Sequence, residues 1–370
     1  MSPRSEISQA KRLVVKVGSS SLTGVDGGID SARLVALVNA LARQHLEGTQ
    51  VVLVSSGAIA AGIAPLGLGA RPRDLATQQA AASVGQGALL AAYTQAFGAH
   101  GITVGQVLLT VDDVTRRTHY TNARRTLDRL LDFGVMPVVN ENDTVATSEI
   151  RFGDNDRLAA LVAHLIDADA LVLLTDVDAL YDGPPSRAGS KRIPLVSGPD
   201  DLADIEVRGS SSKVGSGGMS TKIEAARIAT AAGVVTVVTA ADRVTQVLDG
   251  QDVGTLFLPI GVRGASRRLW LQHATTARGR LVVDDGAVTA LTHRKKSLLP
   301  AGVVRVEGGF QEGDAVDVCA LDGRVVARGL TNYSAKELPG LLGRSTKELA
   351  SELGPEYERE VIHRDFLVVL

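Results

Sequence analysis

The fold is decided by residues 135–175, which read VMPVVNENDTVATSEIRFGDNDRLAALVAHLIDADALVLLT. The apolar run over 135–139 predicts a buried strand, and apolar residues at helical spacing predict a helix over 156–167. A second apolar run over 170–174 predicts another strand. A helix that joins two buried strands in this way is typical of a parallel sheet covered by helices.

The same alternation continues on both sides of this unit. Strands are expected over 13–17, 51–54, 103–109 and 234–238, and helices over 58–63, 74–97, 118–132 and 219–232. Asp30 or Ser31 can cap a further helix that carries Leu34, Leu37, Val38 and Leu41. The expected fold of residues 1–260 is therefore a three-layer α/β sandwich with a mainly parallel central sheet.

The pattern changes after residue 260. Residues 261–276 are expected to be a linker, because they begin with the glycine- and arginine-rich stretch GVRGASRR. Short strand signals follow at 279–283, 302–306, 315–319 and 325–328, with turn signals at 284–286, 312–314 and 322–324. Asp-Gly pairs between apolar runs indicate hairpins. Residues 277–370 are thus expected to form a small, separate, mostly β domain.

Composition excludes several classes of protein. The 370 residues are 45% hydrophobic and 22% charged, so the chain can bury a core. A net charge of −2 gives no general attraction to nucleic acid or membrane, and the single cysteine, Cys319, excludes a disulfide framework. The polar start and the absence of a run of about 18 apolar residues lead us to expect a soluble, cytoplasmic protein.

Six polar or glycine-rich segments lie where predicted strands end or predicted helices begin. They read VKVGSSSLTG from Val15, SSGAIAAG from Ser55, NENDTVAT from Asn140, GDNDRLAALVA from Gly153, LLTDVDALY from Leu173 and GSGGMSTKIEAA from Gly215. Each has a structural alternative, such as tight packing at 55–62, an Asx-rich turn after 139, or a helix cap at Asp154 or Asn155. A lysine at a strand end and a glycine-rich turn that opens a helix are also the parts of a phosphate site.

Taken in this order, the six segments resemble those of the amino acid kinase family, and residues 277–370 resemble a PUA domain. Members of that family phosphorylate a carboxylate, carbamate or phosphate with ATP. The resemblance is closest to members that phosphorylate the γ-carboxylate of L-glutamate in the first step of proline biosynthesis. It implies ATP as co-substrate with Mg²⁺, proline as feedback inhibitor, and a homo-oligomer, either a dimer or a tetramer.

The resemblance also implies roles for individual residues. Lys16 and Lys222 would neutralise charge on the transferring phosphoryl group, and Asp156 would orient both lysines. Glutamate would be held by Ser56, Asn140, Asp143, Asp154 and Asn155. ATP would be held by Lys16, Thr175, Asp176, Ser216, Gly217, Gly218, Met219, Ser220, Thr221 and Lys222, and Mg²⁺ by ATP rather than by the protein. One departure is Ser55, where many members carry threonine.

Two alternatives stay open at the level of sequence. The chain could be another amino acid kinase, acting on N-acetylglutamate or carbamate. It could also be an RNA-binding PUA protein with a vestigial kinase domain. Residues 277–370 carry 13 Lys and Arg against 14 Asp and Glu, however, and RNA-binding domains usually present a basic surface. Between the kinases, the segment NENDTVAT and the PUA-like residues 277–370 favour free glutamate as the acceptor.

Overall fold

The computed structural model describes residues 3–24, 28–110, 113–114, 117–145, 155–184, 187, 189–202, 218–261 and 277–370. The chain divides into two compact units, one formed by Met1–Val114 with Thr121–Arg263 and the other by Gly264–Leu370 with Thr115–Tyr120. Residues 262–276 of the expected linker lie outside the described ranges. The expected boundaries at 260 and 277 therefore stay predictions.

The described part of the first unit alternates strands and helices. Its strands are β1 (Arg12–Val17), β2 (Gln50–Val54), β3 (Val104–Leu109), β4 (Met136–Glu141), β5 (Ala170–Thr175), β6 (Leu180–Tyr181), β7 (Arg192–Ile193), β8 (Leu195–Val196), β9 (Val235–Ala240) and β10 (Thr255–Phe257). Its helices are α1 (Ser5–Ser8), α2 (Ser19–Leu22), α3 (Ser31–Leu46), α4 (Ala58–Ile63), α5 (Leu75–Gly98), α6 (Arg117–Asp132, which belongs to this unit from Thr121 onward), α7 (Asn155–Leu165), α8 (Met219–Ala231) and α9 (Val244–Leu248). Single 3-10 turns occupy Pro199–Leu202 and Ala241–Arg243.

The strands form one sheet in the order β3-β4-β2-β1-β5-β9-β10-β8, beside a small antiparallel ribbon of β6 and β7. Neighbouring strands are parallel except for β10, which runs antiparallel to β9. In the centre, Val15 of β1 pairs with Leu53 of β2 and with Val172 of β5. The mainly parallel sheet predicted from the alternation of strands and helices is confirmed.

Side chains of β1 alternate between the two faces of the sheet. Leu13, Val15 and Val17 belong to a core that also contains residues of α3 and α5. Val14 and Lys16 point the other way, where α7 contacts β1 and β5. Asp30, one of the two expected caps, begins α3 by accepting hydrogen bonds from the backbone of Ala32 and Arg33. Helices therefore cover both faces, as expected for a three-layer sandwich.

One predicted strand is longer than the sequence indicated. Asn140 and Glu141 were expected in the turn that follows the strand over 135–139, but they are the last two residues of β4. They pair with Leu108 and Leu109 of β3. Because hydrogen bonds satisfy its amide, Asn140 tolerates burial at 1% exposure inside the sheet.

The second unit has its own sheet and its own apolar core. Its described elements are β11 (Gly279–Val283), α10 (Asp285–Thr292), β12 (Val303–Gly308), β13 (Ala315–Cys319), β14 (Val325–Leu330), α11 (Thr346–Leu353) and β15 (Leu367–Val369), with 3-10 turns at Pro300–Gly302, Leu338–Gly340, Pro355–Tyr357 and Arg364–Phe366. The strand order is β12-β11-β13-β14-β15. Only the β11–β13 pair is parallel. The expectation of a mostly β domain is confirmed.

The two Asp-Gly signals of this unit have different outcomes. The signal at 322–324 is a hairpin turn between antiparallel β13 and β14, and Gly323 adopts the left-handed φ of 86° there. The hairpin expected at 284–286 is wrong. Asp284 instead accepts a hydrogen bond of 2.7 Å from the Ala287 backbone and begins α10. Aspartate supports both structures, because its carboxylate satisfies backbone N–H groups in a turn and at a helix N-terminus alike.

No helix in the described ranges is both long enough and apolar enough to reach across a bilayer.

Candidate active site

Three charged side chains meet on the face of the sheet covered by α7 and α8. Lys16 Nζ lies 2.5 Å from Asp156 Oδ1, and Lys222 Nζ lies 3.0 Å from Asp156 Oδ2. The two lysines are 206 residues apart along the chain. One carboxylate thus joins residues from three distant segments.

The local structure explains how the three residues meet. Lys16 stands near the carboxyl end of central strand β1, while Asp156 and Lys222 lie in the first turns of α7 and α8. In a parallel α/β sheet, helix N-termini and strand carboxyl ends share one edge, where such folds bind their ligands. The sequence places each residue on its element, and the parallel topology brings the three elements together.

All three side chains are buried, with Asp156 fully shielded and the residues Lys16 and Lys222 at 3% and 6% exposure. Charged groups are stable in the interior only when they are paired. The trio holds two ammonium groups and one carboxylate, so it carries one positive charge in excess. An anion that reaches this position would satisfy that charge, and a phosphoryl group is such an anion.

The glycine-rich segment before α8 connects to this trio through Thr221. Its hydroxyl lies 2.7 Å from the Gly218 carbonyl, to which it donates, and 3.3 Å from Asp156 Oδ2. Gly218 begins the helix without a side-chain cap from any described residue. The first N–H groups of α8 thus lie beside Lys222, as the N-terminus of a phosphate-binding helix does.

Amide side chains form a second cluster next to the trio. Asn155, the neighbour of Asp156, donates from Nδ2 to the Ser55 carbonyl at 2.6 Å and to Asn140 Oδ1 at 2.7 Å. Asn140 donates in turn to Gln86 Oε1 at 2.7 Å. Asn155 and Asn140, both expected to hold glutamate, are therefore in direct contact.

The remaining expected site residues that the structure describes lie at strand ends and helix starts of the first unit. Ser56 is half-buried before Gly57, whose φ of 100° turns the chain from β2 into α4. Asp143 is half-buried in the turn after β4. Thr175 ends β5 and donates to Asp176 at 2.9 Å. Met219 and Ser220 lie in the first turn of α8. Asp154, Ser216 and Gly217 lie outside the described residues.

Two contacting residues of α5 were not expected from the sequence. They are Gln86, bonded to Asn140, and Tyr93, whose hydroxyl lies 3.0 Å from Ser55 Oγ. Burial raises the pKa of Tyr93, with the Ser55 hydrogen bond acting in the opposite direction, so the phenol stays neutral. The available signal was that a glutamine directly follows Gly85 inside a helix of small residues.

The described residues include no group of three or more His, Cys, Asp or Glu side chains able to hold a metal ion. Asp156, the carboxylate of the trio, is already engaged by two lysines. The residues present therefore fit a divalent ion that enters with the phosphates of its nucleotide.

Known proteins show clear similarity to the chain. Residues 11–240 match the amino acid kinase family, and residues 279–353 match the PUA domain. A glutamate 5-kinase from Streptomyces avermitilis is 63% identical over 99% of this chain and 98% of its own length. Glutamate 5-kinases from Thermobifida fusca and Bifidobacterium longum are 61% and 55% identical, each over 99% of this chain and 95% and 98% of their own lengths.

A solved structure with the same fold is carbamate kinase from Giardia lamblia bound to AMP-PNP, with a TM-score of 0.50 and 19% sequence identity. The match covers 68% of this chain and 99% of that chain.

Proposed function

The chain belongs to the amino acid kinase family, and we propose that Lys16, Lys222 and Asp156 form its phosphoryl-transfer site. The reaction is the ATP-dependent phosphorylation of the γ-carboxylate of L-glutamate, which yields L-glutamate 5-phosphate and begins proline biosynthesis. The observation that carries the site proposal is the shared carboxylate, which holds two buried ammonium groups where a phosphoryl group needs positive charge.

The chemistry requires positioning more than covalent participation. The γ-carboxylate of glutamate is ionised at neutral pH and attacks the γ-phosphorus of ATP directly, so no general base is needed. Lys16 and Lys222 would offset the charge on the phosphoryl oxygens and on the leaving ADP. Asp156 would hold both ammonium groups in place before ATP arrives. Mg²⁺ would enter bound to the phosphates of ATP.

The proposed ATP site extends from the trio along α8 and the end of β5. Its residues are Lys16, Thr175, Asp176 and the run Ser216, Gly217, Gly218, Met219, Ser220, Thr221 and Lys222. The contacts of the Thr221 hydroxyl with the Gly218 carbonyl and with Asp156 Oδ2 support this assignment, because they join Gly218 to the trio.

The proposed glutamate site consists of Ser56, Asn140, Asp143, Asp154 and Asn155. Its support is the direct hydrogen bond from Asn155 to Asn140. Asn155 directly precedes Asp156 in the chain, so this bond lies next to the trio. A glutamate held there would present its γ-carboxylate toward the lysines. This arrangement meets the first requirement of phosphoryl transfer, that two anionic reactants be held together.

An acceptor assay tests the activity and its specificity. ADP release is measured with glutamate, N-acetylglutamate and carbamate at equal concentrations, and the product is identified by trapping it as the hydroxamate. Glutamate should support turnover far above the other two acceptors. Comparable turnover with N-acetylglutamate or carbamate would contradict the assignment.

We also propose that proline inhibits the chain by competing with glutamate, and that the chain acts in the cytoplasm as a homodimer or homotetramer. Initial rates at several proline concentrations should show a higher apparent KM for glutamate and an unchanged maximal rate. Light scattering of the purified protein gives its mass. A monomeric mass, or rates unaffected by millimolar proline, would contradict these proposals.

A further inference from the structure

Asn155 and Asn140 of the proposed glutamate site form a row of three amide side chains with Gln86, and the backbone fixes the hydrogen-bond directions in this row. Asn155 Nδ2 donates to the Ser55 carbonyl, which can only accept. The Glu141 backbone N–H, which can only donate, lies 2.9 Å from Asn140 Oδ1, which therefore accepts. Asn140 Nδ2 must then face Gln86 Oε1, at 2.7 Å. The orientation of each amide therefore follows from its neighbours.

This arrangement determines what Asn155 can offer to a ligand. Both hydrogens of its Nδ2 are engaged, one by Ser55 and one by Asn140. Its Oδ1 has no partner among the described residues and can only accept a hydrogen bond. At neutral pH the α-ammonium is the only polar group of glutamate that donates, so Asn155 Oδ1 matches the ammonium and not a carboxylate.

Helix α5 holds Gln86 at a fixed distance from Asn140. A Cβ on Gly85 would lie 1.8 Å from the Ala58 carbonyl oxygen, and a Cβ on Gly62 would lie 1.9 Å from that of Ala81. The backbones of α4 and α5 are therefore in direct contact, with no side chain between them. Since Gln86 directly follows Gly85, this helix contact places the side-chain carbonyl of Gln86 at the end of the row.

We propose that Gln86 is a positioning residue that sets the specificity of the site for the α-ammonium group. The side-chain carbonyl of Gln86 anchors the Asn140 amide, and Asn140 in turn accepts the Asn155 Nδ2 hydrogen that Ser55 does not, so that Asn155 Oδ1 faces the ligand. Without Gln86, the Asn140 Nδ2 donor loses its protein acceptor, and only the bonds from the Glu141 N–H and from Asn155 Nδ2 to Asn140 Oδ1 still oppose rotation of the Asn140 amide. This inference rests on the proposed glutamate site.

Variants of the full-length chain test this role. Gln86→Met keeps the length of the side chain and removes the acceptor, whereas Gln86→Glu keeps an acceptor oxygen. Gln95→Met makes the same glutamine-to-methionine change at an exposed position of α5 and serves as the matched control. Steady-state assays give kcat, the KM values for glutamate and ATP, and the inhibition constant of glutarate, which lacks the ammonium group.

We expect Gln86→Met to raise the glutamate KM roughly tenfold, as the loss of one hydrogen bond to a polar group does. The ATP KM, kcat and the glutarate constant should change less than about twofold, because none of them depends on the ammonium contact. Gln86→Glu should recover most of the glutamate affinity, and Gln95→Met should behave as the parent chain.

An equal loss of glutamate and glutarate binding would indicate a general defect of the pocket and would overturn the proposal, as would a Gln86→Glu variant no better than Gln86→Met. Gln86→Ala is measured alongside, with melting temperatures, so that poor packing of methionine does not decide the result. Failure of the parent chain to phosphorylate glutamate would instead contradict the proposed function. The glutamate-induced rise in melting temperature across the same variants would then decide the role of Gln86.

Discussion

Asp156 is the residue on which the proposed phosphoryl site depends. Its side chain is fully buried, and each of its two oxygens faces a different lysine. A buried carboxylate with two cations differs from a surface ion pair, because neither water nor salt replaces a partner that is removed. Single substitutions at the trio should therefore show which charged side chains mainly affect kcat and which mainly affect the free energy of unfolding.

Substituting Lys222 tests the catalytic charge. Lys222→Ala should lower kcat roughly 10²–10³-fold, the usual loss for one group that stabilises transition-state charge. The glutamate KM should change little, because the amide cluster is left intact. Steady-state kinetics with Lys191→Ala, an exposed lysine of the same unit, provides the control. Near-normal kcat in the Lys222 variant would exclude the assigned role.

Neutralising Asp156 tests the folding charge. Asp156→Asn removes the carboxylate that contacts both buried ammonium groups and should reduce the free energy of unfolding by about 3–5 kcal/mol. ATP should raise the melting temperature of this variant more than that of the parent chain, because its phosphates supply the missing negative charge. Asp249→Asn, which breaks the half-exposed pair with Arg43, should cost at most about 1 kcal/mol. Equal effects of the two substitutions would contradict this account.

At the scale of elements, the contact between α4 and α5 connects helix packing to the proposed glutamate site. Gly62 and Gly85 let the two backbones meet, and α4 begins just after Ser55 and Ser56. The segment from Ser55 to Gly62 therefore has both explanations that its sequence admitted. Its small residues allow tight packing, and its first residues border the amide cluster through the Ser55 carbonyl.

Two glycines of α5 provide a matched pair of substitutions. Gly85→Ala should lower the melting temperature and raise the glutamate KM, because its Cβ would lie 1.8 Å from the Ala58 carbonyl oxygen and force the helices apart. Gly87→Ala has no atom within 4 Å of the new Cβ and should stabilise the helix by up to about 1 kcal/mol. Thermal unfolding and glutamate kinetics measure both effects. A Gly85→Ala variant as stable as Gly87→Ala would refute the close contact.

At the scale of the whole molecule, each of the two units has an apolar core of its own. Every described residue that we assign to chemistry lies in the first unit. The described part of that unit ends with Ile260 and Gly261, whose backbone N–H groups donate to the Thr230 carbonyl of α8. The chain up to Gly261 therefore completes the packing of the helix that carries Lys222.

A chain ending at Gly261 should fold and keep activity that depends on both ATP and glutamate, because no assigned side chain is removed. Circular dichroism and gel filtration report folding and size, and kcat and proline sensitivity are measured beside the full-length chain. We expect the truncated chain to differ from the full-length chain in proline sensitivity or in association, since a change at one surface can bias a distant site. A folded truncated chain without kinase activity would show that the second unit completes the active site.

The sequence by itself determined the class of fold and the main strands and helices of the first unit. Apolar runs and helical spacing depend on neighbouring residues, so the parallel core strands and the helices between them could be predicted nearly to the residue. The hairpin predicted at Asp284 was wrong, because aspartate favours both a turn and a helix start. Resemblance to a family supplied the proposed roles of Lys16, Asp156 and Lys222, which no local pattern contains.

Only the tertiary structure decided which distant groups touch. The contact of Asp156 with both lysines, the direction of the amide row and the part of Gln86 in it depend on strand order and on a close helix contact. Those in turn depend on which surfaces pack together across the chain. Hydrogen bonds and ion pairs reach only about 3 Å, and a linear pattern fixes positions along an element but not the distances between elements.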